Sequence, residues 1–139
     1  MRYLLDTSAW LRGYAEPDTV PAGERKLMTS PGEVFGLSAI SLWEIAKKHQ
    51  QGKLALHSGL ADWFKHAVGS NIQLLPLDAE VVVDAMNLPD FPVNDPADEL
   101  IVATARVHRL TLLTTDTRLK GYHHARIHYF TPVLEGKRK

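Results

Sequence analysis

The sequence predicts a three-layer α/β/α sandwich around a central, mainly parallel sheet of four to five strands. Three observations predict it. Short apolar runs ("RYLL", "VFGLS", "IQLLPL", "TLLTT") recur along the chain with longer helical patterns between them. Strands alternating with helices imply a parallel sheet covered on both faces, whose members read as near-continuous apolar runs. The chain of 139 residues, 45% of them apolar, suffices for one hydrophobic core, so residues 1–139 read as a single domain.

Arg2 to Leu5 form the first predicted strand, which passes at "DTS" into a helix start. The stretch from Gly13 to Glu33, broken by Pro17, Pro21 and Pro31, predicts a loop around one short helix. Val34 to Ser38 form a second strand. Ser41 then opens a helix to about Gln51, with Gly52 as its stop. Leu60 to Val68 form another helix, with Leu60, Trp63, Phe64 and Ala67 on one face. Ile72 to Leu77 read as the third strand, and "AEVVVDAMNL" as a helix ending near Pro89. The proline-rich "LPDFPVNDPAD" is a surface loop. A nearly all-apolar helix follows in "ELIVATARVHRL", then a buried strand from Thr111 to Thr115, a short helix after Asp116 and a last strand from Ile127 to Phe130. From about residue 133 the chain forms a basic tail ending in "GKRK", expected to fray.

Bulk properties exclude several classes. The absence of cysteine removes disulfide frameworks and thiolate metal sites. Asp6 interrupts the N-terminal apolar stretch too early for a signal peptide, and no apolar run nears the roughly 20 residues that span a bilayer. The expectation is a cytoplasmic protein without membrane contact. Sixteen basic and sixteen acidic side chains give no net charge, which taken alone argues weakly against a nucleic-acid partner. Four carboxylates gathered on metal ions would leave 16 basic against 12 acidic groups, so the average does not decide.

Parallel α/β sheets place their sites beyond the carboxyl ends of the strands. Four acids fall there. Asp6 follows the first strand, Glu44 lies one turn into the helix after the second, Asp98 opens the apolar helix, and Asp116 follows "TLLTT". Each has a local alternative as a helix cap. Asp6 and Asp116 precede helix starts, Ser41 and Glu44 match a capping box, and Asp95 with Pro96 makes an N-cap before Asp98. Capping alone does not require an acid at all four places, since Ser, Thr or Asn cap as well. Converging carboxylates repel one another unless a cation sits between them, and all-oxygen ligation selects Mg²⁺ or Mn²⁺.

"LLDTSAWL", "SAISLWEIAKK", "DPADELIVATA" and "LLTTD" occur in the order and style of the PIN-domain ribonucleases, and the chain most resembles the VapC-like toxins of bacterial toxin–antitoxin pairs. The resemblance covers essentially the whole chain and matches Asp98, not Asp95, to the family's third acid. It implies a PIN-like fold and a Mg²⁺- or Mn²⁺-dependent endoribonuclease. It also implies an RNA substrate, a cognate VapB-like antitoxin that blocks the site, and a homodimer. One departure concerns substrate preference: where relatives often read D-P-F-D-R, this chain has Ala97 and Glu99.

On that reading Asp6, Glu44, Asp98 and Asp116 are the catalytic, metal-holding set, with Asp6 and Asp98 central. Thr7 or Thr114 would orient a carboxylate or a water from behind the ligands. The ion would activate a water for hydrolysis of the phosphodiester. Arg118 and Lys47 are candidates for RNA phosphates, with Lys48, Lys53 and Lys120 nearby. Trp10, Trp43 and Trp63 could stack bases, although the pattern favours the core or an interface, Trp43 included. His123 and His124 form no metal motif and read as surface residues. Two related readings stay open, a PIN-like nuclease of RNA processing without an antitoxin and a non-catalytic RNA- or protein-binding domain. An aspartyl phosphohydrolase would want an acid at position 8, where Ser8 stands.

Overall fold

The computed structural model describes residues 1–134; the "GKRK" part of the tail lies outside the described residues. Five strands, β1 (Tyr3–Leu5), β2 (Phe35–Ser38), β3 (Ile72–Leu75), β4 (Thr111–Thr114) and β5 (Ile127–Tyr129), form one sheet in the order β3-β2-β1-β4-β5. Every pairing is parallel. The register sets Leu5 beside Leu37 on one side and Leu113 on the other, so these three strands end level with one another. After β1 the chain builds outward to β2 and β3, then returns to add β4 on the opposite side. The order therefore reverses between β1 and β4, and a crevice opens beyond their carboxyl ends.

Neighbouring residues of one strand point to opposite faces, and here both faces are buried. Leu5, Phe35, Leu37 and Leu113 pack with Ala9 and Trp10 of α1 (Thr7–Ala15), Ile45 of α3 (Ala39–Gln50), and Trp63 and Ala67 of α4 (Leu60–Ala67). Leu4, Leu75 and Leu112 pack on the other side against Ile101, Val102 and Ala105 of α6 (Pro96–Val107). Outside α6 lies α5 (Ala79–Met86), joined through Val81, Ala85 and Ala103. Arg106 ties α5 to α6 with a forked pair of bonds to Asp84, 2.8 and 3.1 Å. No helix of the described residues is long and apolar enough to cross a membrane.

The strands lie within a residue or two of expectation. Three helical segments do not, and the first is α6, which runs Pro96–Val107 in place of the expected Glu99–Leu110 because Pro96 takes its first helical position after the Asp95 cap. The Gly13–Glu33 stretch holds the end of α1, a 3-10 turn at Pro17–Thr19 and α2 (Ala22–Met28), because the prolines start helical turns here as well as interrupting them. The third helix begins at Ala39, not Ser41. Ser38, still extended at φ −66° and ψ 140°, supplies the cap by accepting from the Ile40 N–H. Gly52 does stop this helix region, in the left-handed conformation (φ 73°) that suits glycine.

Candidate active site

The four predicted acids come together. Asp6, Glu44, Asp98 and Asp116 line one cavity of about 320 Å³ at the carboxyl edge of the sheet, with Thr7, Ser8, Lys48 and Arg118. Asp6 follows β1 and Asp116 follows β4, while α3 brings Glu44 in from its second turn and α6 brings Asp98 in from its first.

Capping and clustering prove compatible. Asp6 caps α1 by accepting from the Thr7 N–H at 2.8 Å, using Oδ1. Its other oxygen accepts from the Thr114 hydroxyl at 2.6 Å. Thr114 in turn accepts from the Asp116 N–H at 3.0 Å, so one buried hydroxyl aligns two of the acids. Asp95 caps α6 through the Ala97 N–H, and Asp116 caps the 3-10 turn Thr117–Leu119 through the Arg118 N–H. Glu44 is the exception, because Ser38 has taken the cap expected of Ser41. Ser41 instead lies fully buried in the third position of α3, its hydroxyl 2.7 Å from that of Thr7. Thr7 donates to Glu44. With its single proton so used and Glu44 ionised, Thr7 accepts from Ser41, and a short relay Ser41–Thr7–Glu44 holds the carboxylate.

Electrostatics sets the acids apart. Burial pushes the Asp6 carboxyl above its ordinary range against the pull of the Thr114 and Thr7 bonds, and burial likewise raises Glu44. Asp98 is pushed up to about 7, first by burial and then by repulsion from Asp6, Asp95, Glu44 and Asp116. Asp116 moves the other way, because the guanidinium of Arg118 bonds to both its oxygens. Arg118 also reaches Asp98 at 3.4 Å, the one hydrogen bond of that carboxylate among the described residues.

This donor set fits a hard divalent cation by its chemistry: oxygen ligands, mutual repulsion in need of a counter-charge, and a cavity with room for water. The fit is an open one. Among the described residues, no three acids or histidines already stand at metal-holding distance from one another. An ion here would keep several waters, as Mg²⁺ usually does.

Of the other candidates, Thr7 bonds Glu44 and Thr114 bonds Asp6. Lys47 bonds Gln50 at 3.0 Å and lies outside the acidic cavity, whereas Lys48, one turn beyond Glu44, lines it. Trp10 and Trp63 are core residues, 2% and 4% exposed, but Trp43 is 56% exposed, so of the two places expected for it the core is not the one it takes. Its helix buries Ser41 and Ile45 instead, and position 43 falls on the outer side. Three contributors to the site escaped the sequence reading. Ser41 was hidden by the capping-box pattern, the Ser8–Thr115 hydroxyl bond by its span of 107 residues, and the repulsion of Asp98 by Asp95 by the cap role of Asp95.

Comparison with known proteins identifies the fold and the family. The chain is 29% identical over 123 residues to Ribonuclease VapC22 of Mycobacterium tuberculosis (strain ATCC 25618 / H37Rv), covering 88% of this chain and 93% of that protein. Its fold is similar to that in VapBC2 of Rickettsia felis bound to a promoter DNA fragment, with TM-score 0.69 and 16% identity. It is also similar to a toxin-antitoxin complex from Klebsiella pneumoniae, with TM-score 0.64 and 16% identity. Both alignments cover 93% of this chain and 98% of the other. The PIN domain family model matches residues 3–124, a span of nearly the whole described chain within which the four acids lie, and the chain belongs to the PIN-domain family.

Proposed function

We propose that this chain is a Mg²⁺- or Mn²⁺-dependent endoribonuclease and the toxin of a toxin–antitoxin pair, acting in the cytoplasm. It is a nuclease hydrolase of the PIN family, and the observation that carries the reading is the meeting of Asp6, Glu44, Asp98 and Asp116 around one cavity. The ribonuclease named among its relatives supports RNA as substrate. The toxin–antitoxin complexes among its structural neighbours support a VapB-like antitoxin as partner. Val83 and Met86, one turn apart on α5 and 61% and 68% exposed, support pairing with a second copy of the chain.

Asp6 and Asp98 would hold the ion, with Glu44 and Asp116 joining directly or through water. A bound divalent ion lowers the pKa of water and clamps the scissile phosphate. The chain's own residues do the rest. The Thr114 hydroxyl and the Thr7 N–H fix the Asp6 carboxylate, and the Ser41–Thr7 relay fixes Glu44. These hold the ligands in place without further reorganisation. Arg118 neutralises Asp116 and Asp98 at the rim. With a cation held by those acids, its guanidinium would be free to bond an RNA phosphate.

The test is incubation of total RNA with the purified protein in Mg²⁺, in Mn²⁺ and in EDTA, beside Asp98→Asn. Discrete cuts ending in 5′-phosphates are expected, lost in EDTA and in the variant. Cutting that survives both would sink the metal-nuclease reading.

A further inference from the structure

Next to the acidic cavity lies a second, more open hollow of about 430 Å³, with Trp43, Lys47, Lys48, Lys53, Asn94 and Pro96 among its walls. The two hollows share Glu44, Lys48 and Asp95, so a strand seated in one continues into the other. The helix explains the pairing. Glu44 and Lys48, four residues apart on α3, make the stripe that faces the acids, and Trp43 and Lys47 make the next stripe round. The asymmetry is physical as well as geometric. An indole left 56% exposed forgoes the burial that Trp10 and Trp63 obtain, and it stands among three ammonium groups. Lysines are depleted at the cores of protein interfaces, so this composition does not suit a second protein chain. An aromatic face with cations spaced along a groove is what single-stranded nucleic acid binds: the ring stacks a base and the cations follow the backbone.

We propose that Trp43, with Lys47 and Lys53, forms a nucleotide subsite. There an unpaired base next to the phosphate being cut stacks on the indole, and the lysines hold the flanking phosphates. This rests on the nuclease reading above and specifies the form of the substrate as an RNA segment whose bases are free. A fully paired helix keeps its base faces stacked inside and offers the indole nothing to stack on.

The experiment measures binding separately from cutting. Fluorescence anisotropy of a fluorescein-labelled single-stranded RNA of about ten nucleotides is followed in an Asp98→Asn background, alone and combined with Trp43→Ala or Trp43→Phe. A duplex of the same sequence is the control. Trp43→Ala is expected to weaken single-strand binding about tenfold, Trp43→Phe to restore most of it, and the duplex to be insensitive to both. Unchanged single-strand affinity in Trp43→Ala would overturn the subsite. So would a change in oligomeric state on size exclusion with affinity intact, which would make the indole a contact between copies. The two readings fail separately. If wild-type protein cuts RNA with Mg²⁺ and Trp43→Ala binds like its parent, only the subsite falls. If wild-type protein neither binds nor cuts RNA, the nuclease reading falls with it.

Discussion

Asp6 ends β1, caps α1 and lines the acidic cavity, and these duties do not compete. The cap occupies one lone-pair direction of Oδ1, and Thr114 occupies one of Oδ2, which leaves acceptor capacity on both oxygens for a cation. Removing the threonine hydroxyl exposes what it contributes. Thr114→Val leaves a buried carboxylate short of a charge-assisted bond and should lower stability at neutral pH by about 2 kcal/mol, read from urea unfolding. Asp98→Asn should do the opposite. An Asp in the first turn normally gains about 0.3–1 kcal/mol from the helix dipole. Here repulsion from Asp6, Asp95, Glu44 and Asp116 outweighs that gain and holds the group up to about 7. Without metal at pH 8, the variant should therefore be the more stable protein by about 1 kcal/mol, and it should be inactive. Destabilisation instead would make Asp98 an ordinary first-turn acid. The positions of all four acids were legible in the sequence because strand ends are easy to find and strand ends are where this architecture puts its chemistry. Their mutual geometry was not, since it depends on β1 and β4 being neighbours across more than a hundred residues.

At the scale of elements, α3 shows where local patterns mislead. Ser41 and Glu44 satisfy a capping box, yet the helix starts two residues before Ser41, because Ser38 at the end of β2 already has extended backbone and a hydroxyl free to cap. Two serines in "SAIS" compete for one role, and what decides is where the strand ends, which tertiary pairing with β1 and β3 sets. Trp43 is exposed because α3 turns Ser41 and Ile45 inward, which leaves position 43 on the outer side. The strands and the apolar helix α6 were legible because their hydrophobic patterns are long and consistent, whereas the prolines before β2 announced one short helix but hid the 3-10 turn and the bounds of α2. The two serines now predict different behaviour. Ser38→Ala should cost about 1 kcal/mol of stability and leave the gain in stability on adding Mg²⁺ as it is. Ser41→Ala breaks the relay to Glu44 and should weaken Mg²⁺ binding or cleavage about tenfold. Thermal unfolding with and without Mg²⁺ separates them. Equal responses of both variants to Mg²⁺ would leave Ser41 with a packing role only.

Across the whole molecule, a chain with no formal net charge gathers five of its 16 acids at one edge of the sheet, and the cost should appear as a pH dependence. Asp6, Glu44 and Asp98 are raised in the folded state, so the fold binds their protons more tightly than the unfolded chain does. Their contribution is full below the unfolded values near 4 and is lost as pH rises through the folded values, about 7 for Asp98. Asp116 and Glu33, lowered by Arg118 and Arg2, have the opposite sign and contribute above pH 4, losing it in acid. The exposed Arg2–Glu33 pair adds little. Metal-free protein should therefore be most stable near pH 5 and lose at least about 1 kcal/mol between pH 5 and 8, after discounting for solvent screening. A bound divalent cation substitutes for the missing protons, so Mg²⁺ should stabilise little at pH 5 and progressively more toward pH 8. Urea midpoints at several pH values, in EDTA and in Mg²⁺, test both curves together. Curves that coincide across the range would mean that the cavity neither strains its carboxylates nor attracts a cation, and Asp6 and Asp116 would be left with their capping roles alone.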